Sequence, residues 1–523
     1  MARCGAQGGA KRSDFADAAM MSEVCAMQQR PNIVLILVDQ MRRDCIGVLN
    51  RQAVETPHLD MMKKHGYLFN RAYTAVPSCI ASRAAIMTGL SQTSHRFVGY
   101  QSDVPRIYDT TLAGTFADAG YHTQCVGKMH VFPERYLCGY HHVVLHDGYL
   151  HPTSEYAQSA ARAFTGTDDY LLWLKRELGA DKTLIDSGLE CNSWLARPWP
   201  YDEYHHPTNW VVHEAIDFLR RRDTTKPFFL TASFVRPHAP LDPPATYFDM
   251  YKDAELGDPP IGDWAAAGDD ADGVLDISAA SGVLPPKALR RARAAYFAHI
   301  THIDHQIGRL IQDIRQYGEL ERTLFLFASD HGDMLGDHHL LRKSLPYEGS
   351  IGVPFVLYDP GNLLQQERNR IITQGPVELR DIFPTLADAA GIPVPACVEG
   401  QSVLPLIRQP DAPWREYLHG EHAAGGRSNH YITDGRHKYI WYSQCGEEQF
   451  FDMENDADEC TNRIADAAMQ PLIDRYRSRL IDELEGREEG YSDGARLFSG
   501  RTPRNVLSCA NERSVRADNG IGR

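Results

Sequence analysis

The sequence predicts an α/β fold with a smaller α+β domain at its C-terminal end. Continuous apolar runs at 32–38, 227–234 and 323–329 are typical of parallel strands that are buried on both faces of a sheet. A helical pattern over 288–317 lies between the second and third runs, as expected where helices connect parallel strands. After residue 406 the pattern changes to short strands and an amphipathic helix over 465–485, which indicates a separate α+β unit.

The chain divides into four predicted segments. Residues 1–30 are polar and rich in alanine and glycine, and we expect a disordered leader. Residues 31–406 form the main domain with the predicted sheet, and 407–487 form the α+β domain. Residues 488–523 are rich in glycine, arginine and serine, and they are predicted to form a tail or an arm that reaches a neighbouring subunit of a homo-oligomer.

Composition excludes several classes of function. The 523 residues carry a formal net charge of −15, so the chain has no long-range attraction for nucleic acid or an anionic membrane. The 11 cysteines include no Cys-x-x-Cys pair, which argues against a disulfide framework and indicates a reducing compartment. Residues 1–30 lack the apolar segment of a signal peptide, and other apolar runs are too short to span a bilayer. We therefore expect a cytoplasmic protein that binds neither nucleic acid nor membrane.

The stretch 76–89 places a cysteine before an apolar helical run that ends in Thr88-Gly89. We expect Cys79 at the N-terminus of a helix, with Arg83 about one turn later. The helix dipole and the arginine both stabilise negative charge at that point, which suits a nucleophile that attacks an anionic ester. This motif by itself leaves open an ordinary buried cysteine on a core helix.

Two predicted strands end in pairs of polar residues. Asp39-Gln40 follows the first strand, and Asp330-His331 follows the strand over 323–329. Because α/β folds place ligand sites at the carboxyl ends of central strands, we expect the two pairs to converge on one divalent cation. Carboxylate, amide and imidazole ligands suit Ca²⁺, Mg²⁺ or Mn²⁺. The alternative for each pair is an aspartate that simply ends a strand.

Further basic residues suit an anionic ester. Lys128 and His130 follow a predicted strand, and their side chains would face the same way if the backbone stays extended. His238 lies in a rigid segment between two prolines, and Lys343 follows the Asp330 strand. The lysines and Arg83 would neutralise the ester oxygens, and each histidine could act as a general acid or base. The alternative for the first pair is a solvent-exposed face.

Two histidine-rich regions lie outside these motifs. Residues 136–207 are rich in aromatic residues and histidines at irregular spacing, and we predict loops over the site that set substrate selectivity. The alternative for each residue is a packed surface segment. His299, His302 and His305 lie at helical spacing on the predicted long helix. We favour a packed or solvated helix face over a metal site there, because charged residues lie among them.

The motifs occur in the order found in the sulfatase family, and the chain resembles that family over about residues 31–485. The family signature Cys-x-Pro-Ser-Arg is matched at 79–83, with Ala81 in place of the proline. The resemblance implies an alkaline-phosphatase-like fold, which is a large mixed sheet sandwiched by helices with a smaller C-terminal α+β domain. The other matching segments are Asp39, Gly120 to His130, Pro237 to Pro240, Asp330 to Gly332 with Lys343, Asp381 to Pro393, and Phe451 to Asn462.

The resemblance also implies the chemistry, which is that of a sulfuric ester hydrolase. In the family, a maturation enzyme converts the signature cysteine, here Cys79, to formylglycine, whose hydrate attacks sulfur to give a covalent sulfate ester. The family pattern assigns a single divalent metal ion to Asp39, Gln40, Cys79, Asp330 and His331.

The remaining roles are carried over in the same way. Lys128 and Arg83 position the nucleophile and the oxygens on the metal side. His238 and Lys343 bind the sulfate and protonate the leaving oxygen. His130 accepts a proton from the second hydroxyl, so that the covalent ester collapses.

The metal pairs indicate a branch of the family. Many sulfatases carry Asp-Asp and Asp-Asn, whereas Asp-Gln and Asp-His resemble choline-sulfatases, phosphonate monoester hydrolases and some uronate 2-O-sulfatases. A histidine ligand weakens the case for Ca²⁺ relative to Mn²⁺, and we expect one ion of either kind. The implied substrate is a sulfate ester of a small molecule or saccharide. The alternatives are a phosphonate monoester or phosphodiester hydrolase, and an inactive binding protein, which the intact set of site residues disfavours.

Overall fold

A computed structural model describes residues 30–49, 51–102, 104–148, 168–184, 186–265, 276–409 and 411–508. The predicted leader, apart from Arg30, and the last part of the predicted tail lie outside the described residues.

Eight strands form one mixed sheet in the order β5-β4-β6-β1-β7-β8-β2-β9. The strands from β5 to β7 run parallel, whereas β8 is antiparallel to both of its neighbours. A two-stranded pair, β3 with β10, and a four-stranded antiparallel sheet complete the strands. Their bounds are β1 Asn32–Asp39, β2 Gly66–Phe69, β3 Ala72–Tyr73, β4 His122–Gly127, β5 His142–Leu145, β6 Phe228–Pro237, β7 Thr323–Ser329, β8 Phe355–Tyr358, β9 Arg370–Ile372, β10 Val377–Glu378, β11 Leu418–Ala424, β12 Arg427–Thr433, β13 His437–Tyr442 and β14 Glu447–Asp452.

Helices cover both faces of the large sheet. The helices are α1 Pro57–Lys64, α2 Cys79–Thr88, α3 Gln92–His95, α4 Leu112–Asp118, α5 Asp169–Leu178, α6 Pro207–Arg221, α7 Ala245–Tyr251, α8 Pro286–Gln316, α9 Glu348–Ile351, α10 Ile382–Ala389, α11 Leu404–Arg408 and α12 Gln470–Leu484. Even-numbered β1 residues pack with α6 and α8, and odd-numbered ones pack with α2 and α10. This double burial explains the continuous apolar runs and confirms the predicted mixed sheet between helices.

The C-terminal sheet β11–β14 packs on both of its faces. One face contacts α12 through a cluster that includes Trp441 and Tyr476. The other face contacts the main domain, where Tyr431 and Ile440 pack with Tyr73. This second face brings β11 and β12 against the segments that lead to the start of α2, because the Glu421 N–H donates to the oxygen of Ala75.

The chain after α12 returns to the main domain. The Val98 N–H donates to the oxygen of Asn505, and the Arg96 side chain donates to the oxygen of Leu507. The domain boundaries at 406 and 487 and the arm to a neighbouring subunit stay predictions. None of the helices in the described ranges is long and apolar enough to cross a membrane.

Residues 136–207 differ from the prediction of loops. The region contains β5 and α5, and several of its aromatic residues pack against other rings. Rings of Tyr170 and Trp210 lie 5.4 Å apart, and rings of Trp173 and His205 lie 5.7 Å apart. Irregular spacing hid this packing, because the partners come from different elements. Residues 149–167 and residue 185 lie outside the described part, and the role in selectivity stays a prediction.

Candidate active site

The two polar pairs lie at the carboxyl edge of the large sheet. Strands β1 and β7 are parallel neighbours with Val38 opposite Ser329, so their polar ends meet. The backbone turns sharply at Gln40, whose φ is 72°, and its N–H donates to Oδ1 of Asp330 at 3.1 Å. The strand ends thus bring Asp39 and Asp330 into one place.

Four buried side chains form the floor of the site, namely Asp39, Cys79, Asp330 and His331, and we call them the floor cluster. Their ligand atoms all lie within 4.8 Å of one another. Cys79 Sγ lies 3.1 Å from Nε2 of His331 and 3.6 Å from Oδ1 of Asp39. His331 Nδ1 donates to the oxygen of Gly332 at 3.0 Å, so its Nε2 faces the cluster as a ligand atom.

Two cations hold the outer oxygens of the floor carboxylates. Lys128 forms an ion pair with Oδ2 of Asp39. Arg83 Nε donates to Oδ2 of Asp330 at 2.8 Å, and its Nη1 donates to the oxygen of Lys128 at 2.7 Å. Burial acts to raise the pKa of Asp39, but Lys128, His238 and further positive groups outweigh it and hold that pKa well below its usual range. Asp39 is therefore ionised.

Cys79 differs from other buried cysteines of the chain. It is the first residue of α2. Burial and Asp39 act to raise its pKa, but Lys128, Lys343 and His331 outweigh them and lower it. At Cys125 and Cys138 burial instead raises the pKa, at Cys138 to about 12. The environment of Cys79 stabilises a nucleophile, which argues against an ordinary core cysteine.

Gln40 and Lys343 are bound to each other. Lys343 Nζ donates to Oε1 of Gln40 at 2.7 Å. The amide nitrogen of Gln40 donates to Oδ2 of Asp333 at 2.5 Å, which fixes the amide orientation. Asp333 was not among the predicted site residues, although it lies only two residues after His331.

His238 is fixed beside the floor cluster. Its backbone N–H donates to the backbone carbonyl oxygen of Asp39 at 3.2 Å. Its side-chain Nδ1 donates to the backbone carbonyl oxygen of Ala239 at 2.8 Å. Burial, followed by the charge of Lys343, holds the pKa of His238 well below its usual range. The imidazole is neutral as a result, with Nε2 as its hydrogen-bond acceptor.

Lys128 and His130 reach the site by a turn rather than by an extended strand. Strand β4 ends at Gly127, and His130 has a φ of 56°. The condition under which both side chains would face the same way, an extended backbone, is therefore not met. The reason is that Oδ1 of Asp147 accepts the N–H groups of Met129 and His130 at 2.8 and 2.9 Å and anchors the turn.

A second buried cluster does not suit a cation. His206, Asp242 and His299 lie close enough to hold a metal ion. However, Arg236 donates to both carboxylate oxygens of Asp242, at 2.9 and 3.1 Å, and His299 Nε2 accepts the Asp242 N–H at 3.0 Å. The cluster is a packed network behind His238, in agreement with the favoured packed face of the long helix.

The C-terminal sheet contributes two side chains that the sequence did not indicate. His422 on β11 lies directly opposite Asn429 on β12, and both are buried. Asn429 Nδ2 donates to the backbone carbonyl oxygen of Ser344, the residue after Lys343, at 3.0 Å. We call His422 and Asn429 the wall pair. No local motif marks them, since only the docking of the second domain brings them to the site.

Two family profiles match the chain. The family described as Sulfatase matches residues 31–392, and the family described as N-sulphoglucosamine sulphohydrolase, C-terminal, matches residues 336–486.

Relatives and solved structures agree with this match. An arylsulfatase from Clostridium perfringens is 56% identical over 471 residues, which are 90% of this chain and 98% of that protein. A choline-sulfatase from Rhizobium meliloti is 30% identical and covers 83% of this chain and 82% of its own length. A phosphonate monoester hydrolase of Agrobacterium radiobacter has the same fold, with a TM-score of 0.69, 24% identity, and coverage of 87% and 95%. The resemblance and the alkaline-phosphatase-like fold are confirmed, and the chain belongs to the sulfatase family of sulfuric ester hydrolases.

Proposed function

We propose that the protein hydrolyses a sulfate ester of a small molecule or saccharide, with formylglycine derived from Cys79 as the nucleophile. The observation that carries the proposal is the floor cluster. In it, Cys79 is the first residue of α2, and its Sγ lies 3.1 Å from Nε2 of His331. Formylglycine supplies a hydroxyl nucleophile when it is hydrated. A maturation enzyme that accepts Ala81 in the signature is a partner that this proposal requires.

The floor cluster fits a divalent metal ion. Asp39, Asp330, His331 and the position of Cys79 offer the ligand atoms. The Gln40 amide oxygen accepts a hydrogen bond from Lys343. Lys128 and Arg83 bind the outer carboxylate oxygens. The inner oxygen of Asp39 lies near Cys79 Sγ and Nε2 of His331, where a cation would bind. A bound ion would polarise the ester oxygens and favour ionisation of a hydroxyl. Two carboxylates with one imidazole suit Mn²⁺ as well as Ca²⁺.

The surrounding basic residues take the remaining roles. Lys128 and Arg83 hold the floor cluster in position, and Lys343 binds a sulfate oxygen. His238 protonates the leaving oxygen, because the negative charge of a bound sulfate raises the pKa of a neighbouring imidazole and supports its protonated form. His130, anchored through Asp147, accepts a proton on the nucleophile side.

Phosphonate monoester or phosphodiester hydrolysis is the second candidate. The Asp-Gln and Asp-His pairs favour it. Many sulfatases carry Asp-Asp and Asp-Asn at these positions, whereas the pairs of this chain resemble those of phosphonate monoester hydrolases. Phosphate and sulfate are both tetrahedral anions, so the same basic residues suit either.

We also propose that the protein acts in the cytoplasm. The cysteines among the described residues are free thiols, which supports a reducing compartment. Fractionation of the native host, with the protein detected by an antibody, tests this localisation. Recovery outside the cytoplasm would contradict it. The proposed homo-oligomer through residues 488–523 is tested by the molar mass of the purified protein from light scattering. The mass of a single chain would contradict it.

The test of the main proposal compares rates on a matched aryl sulfate, phosphodiester and phosphonate monoester. We expect the sulfate to be the fastest, and the tryptic peptide with Cys79 from active protein to carry an aldehyde. Cys79→Ala should abolish turnover, whereas Cys445→Ala, at an exposed cysteine, should leave it unchanged. Active protein with only an unmodified thiol at Cys79 would contradict the formylglycine nucleophile, and a faster phosphonate would favour the second candidate.

A further inference from the structure

The wall pair is polar on a sheet face that is otherwise packed. His422 is 2% exposed and Asn429 is 7% exposed, on the face of the C-terminal sheet that contacts the main domain. Farther along the same face, Tyr431 and Ile440 pack in an apolar cluster. Two buried polar side chains at one end of such a face need a specific reason, because burying a polar group without a partner costs free energy.

Each member of the wall pair has one atom that the protein does not satisfy. Among the residues that the structure describes, neither Nε2 of His422 nor Oδ1 of Asn429 has a hydrogen-bond partner. A buried polar atom left in this state costs about 1–3 kcal/mol. The orientation of the Asn429 amide is fixed, because its Nδ2 donates to the backbone carbonyl oxygen of Ser344 at 3.0 Å. Its open atom is therefore an acceptor.

The wall pair lies beside the sulfate-binding residues. The charges of His331 and Lys343 both act on His422, and Ser344 follows Lys343 directly. Strand β11 also pairs with the segment that holds Tyr100, since Gly99 lies opposite Ala423. Tyr100 as a residue is 40% exposed, and its ring centre lies 6.3 Å from that of His130. The wall pair and Tyr100 thus flank the place where a leaving group extends from the floor cluster.

We infer that His422 and Asn429 form a subsite for a hydroxyl group of the leaving group, so that the preferred substrate is the sulfate ester of a polyhydroxylated, sugar-like alcohol. This inference rests on the proposed function. A hydroxyl both donates and accepts, and so it can satisfy the Asn429 acceptor and the imidazole nitrogen together. The pair offers no charged side chain that would bind an ionic group of the substrate. Tyr100 offers an aromatic face for a sugar ring.

The test uses methyl glucopyranoside monosulfates and cyclohexyl sulfate, which lacks the hydroxyl groups. We expect the wild-type enzyme to favour the best sugar sulfate in kcat/KM. His422→Leu should lower kcat/KM on that sulfate by about tenfold or more, and by much less on cyclohexyl sulfate. His422→Gln, which keeps a hydrogen-bonding group, should restore part of the loss. His419→Leu, on the same strand, should not change the ratio between the two substrates.

Three outcomes decide the inference. Equal losses on both substrates would assign His422 a structural role and overturn the subsite, and so would no loss on either. If His422→Leu does not fold in thermal unfolding, the ratio measured for His422→Gln and Asn429→Ser decides in the same way. Wild-type protein that cleaves no sulfate ester would contradict the proposed function itself, whereas equal wild-type rates on both substrates would contradict only the subsite.

Discussion

The floor cluster and the wall pair are two sides of one site with opposite electrostatics. The floor carboxylates are tied to Lys128 and Arg83, and they lie directly at strand ends of the large sheet. The wall pair comes from the second domain, and each of its members has a polar atom without a hydrogen-bond partner in the described part of the chain. Together, the proposed function and the inferred subsite assign the reaction to the floor and the choice of leaving group to the wall. Each prediction below tests this division.

The largest effect is expected at Asp330. Asp330→Ala removes a carboxylate from the floor cluster and leaves Arg83 as an uncompensated buried charge. We expect loss of the bound metal ion and a fall in kcat of about a thousandfold or more on every sulfate ester. Metal analysis and steady-state rates check this, with Asp217→Asn, at a partly exposed carboxylate on α6, as the control that should change neither. Full metal content in Asp330→Ala would place the ion elsewhere.

His238 should matter most for poor leaving groups. His238→Ala is expected to slow alkyl or sugar sulfates by about 10²–10⁴-fold and an activated aryl sulfate such as 4-nitrophenyl sulfate far less, because a general acid helps a basic leaving oxygen most. His130→Ala should slow all of these substrates to a similar extent. Rates of both variants over a series of leaving groups give the answer. A uniform loss for His238→Ala would show that its assigned role is wrong.

The support of the wall should appear as stability rather than rate. Glu421, next to His422, accepts two hydrogen bonds from Arg487 at 2.9 Å. Burial acts to raise the pKa of Glu421, but Arg487 outweighs it and lowers the pKa to about 2. Against an unfolded value near 4.3, this depressed pKa contributes about 3 kcal/mol of stability at neutral pH.

That contribution has a defined pH window. Because the folded pKa is lowered, the stability is present above about pH 4.3 and is lost as the pH falls towards about 2. Glu421→Gln should therefore unfold at lower urea concentration at pH 7, and the gap to wild type should shrink between about pH 5 and pH 3. A gap that does not depend on pH would show that the ion pair is not its origin.

The smallest effect is expected at Asp147. Asp147→Ala removes the acceptor of two N–H groups in the turn that carries His130, and we expect a fall in kcat of about tenfold. Asp147→Asn keeps an acceptor oxygen and should lose less. Combined with His130→Ala, the Asp147 change should add little, since residues that act as a unit are not additive. Full additivity would separate Asp147 from His130.

The sequence by itself determined the sheet, the strand-end pairs and the start of α2. Burial of a strand on both faces requires a continuous apolar run, and a helix start next to Arg83 is a local feature, so both are visible in the printed residues. The order of the motifs then identified the family.

Only the tertiary structure decided the turn at Lys128 and the wall pair. The turn depends on Asp147, a residue from another segment whose role no local pattern shows. His422 and Asn429 are ordinary polar residues of two strands until the C-terminal sheet docks on the main domain. Local periodicity carries information about which face of an element is buried, but not about which distant surface covers it.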